Sequence, residues 1–364
     1  MGSGGARRPA QPGSGWAKHW LLVLLAAALA ASSAAAGHAA PAAASAPSLD
    51  AGGAYAFLAF ARDLQQGRPW SEAAIRRMAA SVPYQAMIAH HASLDPGVTA
   101  EAFVGMLLAL CDGRPYSGPT SRLTRVYATY KAALARLPEL ETRLQALCGT
   151  DLVAGALAKA RASLPPGVPL PARLYLLADG FTAAYCQDDA IMLDLLQVSG
   201  ASDLQSRLAH ELHLAGTATL LPRPCPDPQL GLALDTLAGM VQEGAATAWL
   251  DGWRASPTQA DGEQVAGFMR ALLGGDLQPE DAEPWFTALI DDGREGGGPL
   301  YRVGNAMIAE LTKRRGQAWV QARLGDPVAL LRDWQGPPSA PFHEVWALLD
   351  RARDRCPAWF PGSH

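Results

Sequence analysis

The sequence predicts an α+β fold that is predominantly α-helical, and three observations carry that expectation. Residues 50–163, and again those beyond residue 200, place apolar side chains at helical spacing with polar residues between them. Two short apolar runs bounded by turn residues, in PARLYLLADG and DDAIMLDLL, interrupt this pattern. Ahead of them SLPPGVPLP supplies the prolines and glycine that end the first helical block. A helical chain with one small sheet set into its middle follows.

At the N-terminus, Arg7, Arg8, Lys18 and His19 precede WLLVLLAAALAA, and the small-residue tract SSAAAGHAAPAAASAP comes after. A positive region, a short apolar run and an A-x-A site at Ala34–Ala36 read as a secretory signal peptide, so residues 1–46 are leader and linker. The apolar run reaches a membrane-spanning length only if its alanines are counted. No stable membrane anchor is expected once it is cleaved, and the chain is expected to be periplasmic or extracellular. Removing residues 1–36 takes away Arg7, Arg8 and Lys18 and no acidic residue, which moves the formal charge from −4 to −7. An acidic chain without a Lys/Arg run excludes a nucleic-acid surface.

Residues 47–163 form an N-terminal helical region. AYAFLAFARDLQ, SEAAIRRMAASV, TAEAFVGMLLALC and SRLTRVYATYKAALARL each keep the helical period, and Ser71 and Thr99 supply starts. His90 and His91 point about 100° apart on a helix and cannot share one ion, so they read as a partly exposed helix end before Asp95-Pro96-Gly97. Residues 164–364 hold the strands, expected as a hairpin-like unit around FTAAYCQ, with Asp179, Asp188 and Asp189 as turn residues. Ser202-Asp203 caps a helix through RLAHELHLAGTATLL, PRPCPDPQ is a rigid connector, and LALDTLAGMVQEGAATAWLDGW reads as one long buried helix. The two regions are expected to pack as one unit. Trp249, Trp253, Trp285, Trp319 and Trp334 read as core or cleft lining. The five cysteines of an exported chain suit one or two disulfides and leave at least one thiol over.

The chemistry lies in RLAHELHLAG. A peptidase zinc needs three protein ligands, an open position for water and a carboxylate base. The H-E-x-x-H motif provides two imidazoles because residues four apart are only about 40° apart around a helix. Here His210 and Glu211 are followed by a histidine at 213, and the position four on is Leu214. His213 lies about 60° from His210 on the other side, and roughly 160° from Glu211. Helical i, i+3 pairs do ligate metals, but an ion drawn toward His213 moves away from Glu211. No G-x-S-x-G is present, which removes a serine-hydrolase reading.

The order of strand, polar turn, AIMLDLL, LAHELH helix and QEGAA helix resembles that of the gluzincins. The segment GGGPLYRVGNAMIAELTKRRGQAWVQARLGDPVALLRDW looks like the Tyr-x-x-Gly-x-x-Met helix and Gly…Asp-Pro stretch of a bacterial zinc-dependent peptidase family of unassigned function, which carries His-Glu-x-His-His. That resemblance implies zinc as cofactor, His210 and Glu243 as metal ligands and Glu211 as general base. His213 is the remaining candidate ligand, since the second histidine position falls on Leu214. Tyr301 is a candidate for stabilising a developing oxyanion. The expected function is an exported zinc metallopeptidase, or a degenerate relative, acting on a peptide or protein. The alternatives are a non-catalytic peptide- or envelope-binding pseudopeptidase and a structural helical periplasmic protein.

Overall fold

The computed structural model describes residues 47–361 apart from 149–150, 188, 254–255, 293–296 and 336. Residues 1–46, read above as leader and linker, and the turn residue Asp188 lie outside the described residues. The chain is α+β and predominantly helical.

Among the described residues a short strand, Ser48–Asp50, is followed by seven helices: α1 (Gly52–Gln65), α2 (Glu72–Ala79), α3 (Val82–Leu94), α4 (Ala100–Cys111), α5 (Ser121–Leu134), α6 (Leu137–Cys148) and α7 (Leu152–Ser163). Ser71, Thr99 and Thr120 start α2, α4 and α5, each side-chain oxygen accepting the N–H three residues on, at 3.3, 3.1 and 3.2 Å. Beyond the sheet follow α8 (Ala201–Ala218), α9 (Pro228–Trp249), α10 (Gln259–Gly274), α11 (Glu283–Ile290), α12 (Pro299–Arg315), α13 (Gln317–Gln321), α14 (Pro327–Asp333) and α15 (His343–Ala352). Gly200, not Ser202, is the N-cap of α8, and Asp203 in its first turn accepts the Ser199 N–H at 2.8 Å and hydroxyl at 3.1 Å. Among the described residues no helix is long and apolar enough to cross a membrane.

The sheet has four strands, β1 (Ser48–Asp50), β2 (Arg173–Leu177), β3 (Ala184–Gln187) and β4 (Ala190–Asp194), in the order β1-β2-β4-β3. The two apolar runs do not form the expected hairpin. β2 and β4 lie side by side in parallel, with Arg173 opposite Ala190 and Leu177 opposite Asp194. FTAAYCQ between them supplies β3, which turns back antiparallel to β4 and forms the sheet edge. The physical reason is burial. β4 is buried along its whole length and β2 along all but its first residue, the pattern of strands covered on both faces.

Two apolar clusters result. One joins α1–α7, the sheet and the buried face of α8, from Ala51 to Leu212. The other gathers Leu164 with residues from Leu230 to Phe360. Trp334 is fully buried in the second, whereas Trp285 is 51% exposed and lines no core. The second cluster centres on the crossing of α9 and α12. A Cβ on Gly244 would sit 2.4 Å from the backbone of Gly304, and one on Gly304 would sit 2.1 Å from the Met240 carbonyl oxygen. The helices therefore touch backbone to backbone, which sets Glu243 on α9 and Tyr301 on α12 side by side. Replacing Gly304 by Ala is expected to cost about 2–3 kcal/mol, because backbone rather than a flexible side chain must yield. Urea unfolding of the variant checks this, and a cost below about 0.5 kcal/mol rules out the tight crossing.

His90 and His91 do not form an exposed helix end. They are 1% and 2% exposed, at the centre of a buried polar network. Asp179, also fully buried, organises the β2–β3 turn by accepting the Phe181 and Thr182 N–H groups at 2.9 and 2.7 Å. Its other oxygen accepts the Tyr185 hydroxyl at 3.0 Å and faces His91 Nε2 at 3.0 Å. Arg122 Nη1 lies 2.9 Å from His91 Nδ1. A guanidinium only donates, so Nδ1 accepts and the ring proton sits on Nε2, aimed at Asp179. Burial works to raise the Asp179 carboxyl, but His91 and the Thr182 N–H outweigh it and hold it below the usual carboxylate range. His90 stacks on Tyr185 at 3.7 Å, and Arg122 lies 4.0 Å over the Phe181 ring. The pair lies at the helix end the sequence indicates, but Asp179 and Arg122 draw it inward.

Asp235 lies half-buried in the middle of α9, and burial alone pushes its carboxyl up to about 7. A carboxyl whose folded pKa is raised binds its proton more tightly in the native state. Its stability contribution is full below the unfolded value near 4 and is lost as pH rises through 7. Asp235→Asn is therefore expected to stabilise the chain at pH 8 by about 2 kcal/mol, allowing for partial exposure, and to have little effect at pH 4. Unfolding curves of both proteins at the two pH values test the sign.

Candidate metal centre

The His-Glu helix α8 and the long helix α9 bring the first and last residues of the sequence motif together. His210 Nε2 lies 3.1 Å from Glu243 Oε2. The other ring nitrogen, Nδ1, lies 3.1 Å from Asp251 Oδ2, just past the end of α9. Glu243 is nearly buried, with a side-chain exposure of 4%, and His210 is at 18%. The imidazole thus sits between two carboxylates, each able only to accept, so both ring nitrogens carry protons in this arrangement. Burial disfavours the charged ring, yet hydrogen bonds to Asp251 and Glu243 hold its pKa well above the ordinary histidine value.

Glu211 is partly buried beside this pair. Burial raises its carboxyl to about 7, with Glu243 and Asp251 adding to the rise and His210 opposing it. Tyr301, from the first turn of α12, faces the same charges. Burial first, then Glu243 and Glu211, keep its hydroxyl protonated well beyond the normal phenol range. His210, Glu211, Glu243 and Tyr301 therefore share one electrostatic neighbourhood.

His213 is not part of it as a donor. Its ring is fully buried, edge-on to Trp249 at 6.1 Å, with Nδ1 2.7 Å from Ser163 Oγ. Ser163 donates to the Ala160 carbonyl at 2.7 Å, so it accepts from His213 Nδ1–H, and Nε2 has no hydrogen-bond partner among the described residues. Burial drives the pKa of His213 down to about 3, with His210 adding to the effect. The i+3 spacing turns this side chain toward α7 instead of toward Glu243.

Asp251 escapes the motif-based reading although it closes the stretch QEGAATAWLDG. A signal was present: Glu243 and Asp251 are eight residues apart, about 80° around the helix, so they border the same groove. A carboxylate on the second nitrogen of a ligand histidine is the usual outer support of a metal site. Ser163, fifty positions before His213, has no such signal.

The donor set does not complete a zinc centre. Among the described residues no group of three His, Cys, Asp or Glu side chains is placed to hold a metal ion. His210 Nε2 and Glu243 converge, Asp251 lies behind the ring on the opposite nitrogen, and Leu214 occupies the place of the next ligand.

A His-Glu helix paired with a glutamate from the following helix is the layout of a metallohydrolase, here one histidine short. The chain belongs to a family described as "Putative zinc dependent peptidase", whose sequence profile matches residues 75–274. That span includes α8 and α9 and stops before α12 and Tyr301. No curated protein and no solved structure matches the chain.

Proposed function

We propose that this chain is a degenerate, exported member of the zinc-peptidase family, which holds a peptide segment beside His210 and Glu243 without cleaving it. The observation that carries the reading is the state of His210. Both ring nitrogens are taken up by carboxylates 3.1 Å away, and the residue one turn on is a leucine. Catalysis by metal-bound water needs three protein ligands and an open position. Two supporting features point to a peptide. β3 is an edge strand whose open side offers backbone donors and acceptors to an extended segment. Glu211, Glu243 and Asp251 also give the site an acidic character suited to a basic residue in that segment. Export draws support from the leader-like residues 1–46 and from the Cys225–Cys356 disulfide, a bond that persists in oxidising compartments.

The competing hydrolase reading rests on Glu211 and Tyr301 lying in the same neighbourhood as His210 and Glu243. One experiment separates the two. The purified mature chain is presented with a peptide library, with and without added zinc, with Glu211→Gln as the blank. Retention of a peptide subset without cleavage supports the pseudopeptidase. Zinc-dependent cleavage that disappears in Glu211→Gln overturns it in favour of the hydrolase, and neither binding nor cleavage overturns both.

A further inference from the structure

The C-terminal turn of the chain is tied to the start of α9 by three bonds of different kinds. Cys356 forms a disulfide with Cys225, which lies 131 residues earlier in the connector before α9, with a Cα–Cα distance of 5.4 Å. Arg355 Nη1 pairs with Asp227 Oδ2 at 2.6 Å. The Trp359 indole N–H donates to the Arg223 carbonyl at 3.0 Å. Asp227 is also the N-cap of α9, its Oδ1 accepting the Leu230 N–H at 3.0 Å. One carboxylate therefore both caps the helix and grips the tail. The tail side is the buried side, since Cys356 and Trp359 are each 2% exposed, while Cys225 is partly exposed.

We infer that residues 353–360 are a strap that oxidation closes and reduction opens, while the rest of the molecule stays folded. The apolar cluster from Ala51 to Leu212 contains no strap residue, and in the other cluster the strap contributes only its last three members. An external dithiol is the reductant. Its thiolate attacks the partly exposed Cys225 sulfur, the S–S bond breaks, and Cys356 leaves as a thiolate that takes up a proton. The second thiol of the reagent then displaces Cys225. The chain gains two thiols, and the reagent departs as its own disulfide. With the covalent tie gone, the Arg355 ion pair, the Trp359 hydrogen bond and the apolar contacts of Cys356, Trp359 and Phe360 hold the tail; the exposed ion pair is weak, and a terminal segment of this kind opens locally ahead of the core. The inference is independent of whether the His210 site binds a metal or a peptide.

The test uses the full mature chain, treated with dithiothreitol under native conditions and followed by circular dichroism, thiol mass-labelling and brief trypsin digestion. Reduction is expected to label Cys225 and Cys356 with the helical signal intact. It should speed cleavage after Arg353 and Arg355 at least tenfold and lower the melting temperature by roughly 10 °C. Asp227→Asn keeps a capping side chain but loses the ion pair, and should cleave still faster once reduced. Cleavage at the two arginines that does not change on reduction overturns the strap. Labelling of the two cysteines only as the helical signal collapses overturns it too, because the disulfide is then an inseparable part of the fold. Both results are read on the unmutated chain, so a folding failure in a variant leaves the test intact.

Discussion

Replacing Leu214 by histidine is expected to raise zinc affinity by at least about 100-fold, equivalent to roughly 2.7 kcal/mol. His210 Nε2 and Glu243 Oε2 are 3.1 Å apart, a separation two donors of one ion can adopt, and Asp251 already holds the far nitrogen of the ring. A histidine four residues after His210 lies about 40° around the helix and one turn along it, which brings its imidazole to the same face. It adds the third donor the present set lacks. Binding must displace the proton that His210 shares with Glu243, so the gain is larger at pH 8 than at pH 6. Competition with a chromophoric chelator measures the effect, and Glu243→Ala in the Leu214→His background should abolish it. An affinity that stays within a factor of three of the starting chain would mean that α8 does not present position 214 to the site.

Asp179→Ala is expected to cost about 3–5 kcal/mol, the largest loss of stability from any single change considered. Four donors converge on this carboxylate: two turn N–H groups, the Tyr185 hydroxyl and His91. Behind His91 stands Arg122, itself 3% exposed. Burial pulls the Arg122 guanidinium down to about 10, with Asp179 the leading charge working against that fall. Without Asp179 a buried cation loses its main counter-charge and two backbone N–H groups lose their acceptor. Asp179→Asn keeps the shape and one acceptor oxygen and should cost less than Ala. Adding Arg122→Met to Asp179→Asn should recover part of the loss, since removing both charges is easier than stranding one. Guanidinium unfolding of the unmutated chain, Asp179→Asn, Arg122→Met and the double variant tests the cycle, and additive costs would show that the two groups do not depend on each other.

What the sequence disclosed follows the range of the interactions involved. Helix starts at Ser71 and Thr99 are legible because a cap acts over three residues. The long buried helix carrying Glu243 is legible because its apolar character runs over six turns. The strand segments are legible as well, but not their order, because β2 selects β4 as its neighbour and the short FTAAYCQ segment between them folds back onto the edge. Two glycines that look like ordinary small residues in Glu-Gly-Ala-Ala and Tyr-x-x-Gly turn out to meet each other, and their contact is what aligns Glu243 with Tyr301.

The candidate site divides along the same line. His210 and Glu243 are recognisable from residue type and spacing, and the structure brings them together. The direction of His213 is not legible, because an i+3 side chain can serve either flank of a helix and Ser163 on a distant helix decides which. The burial of His90 and His91, unlike their place at the helix end, is not legible for a similar reason. His91 is held by Asp179, 88 positions on, and by Arg122, 31 positions on, while His90 stacks on Tyr185, and none of these distances leaves a periodic trace.

The pairing of β1 with β2 has a consequence for how the molecule comes into being. Ser48 lies opposite Arg173, so β1 has no partner until more than a hundred further residues have followed it from the ribosome. Contacts between such distant positions slow folding. During that interval β1 and the apolar helices behind it are open to capture by other chains, and a holdase that shields them should raise the yield of correctly assembled protein.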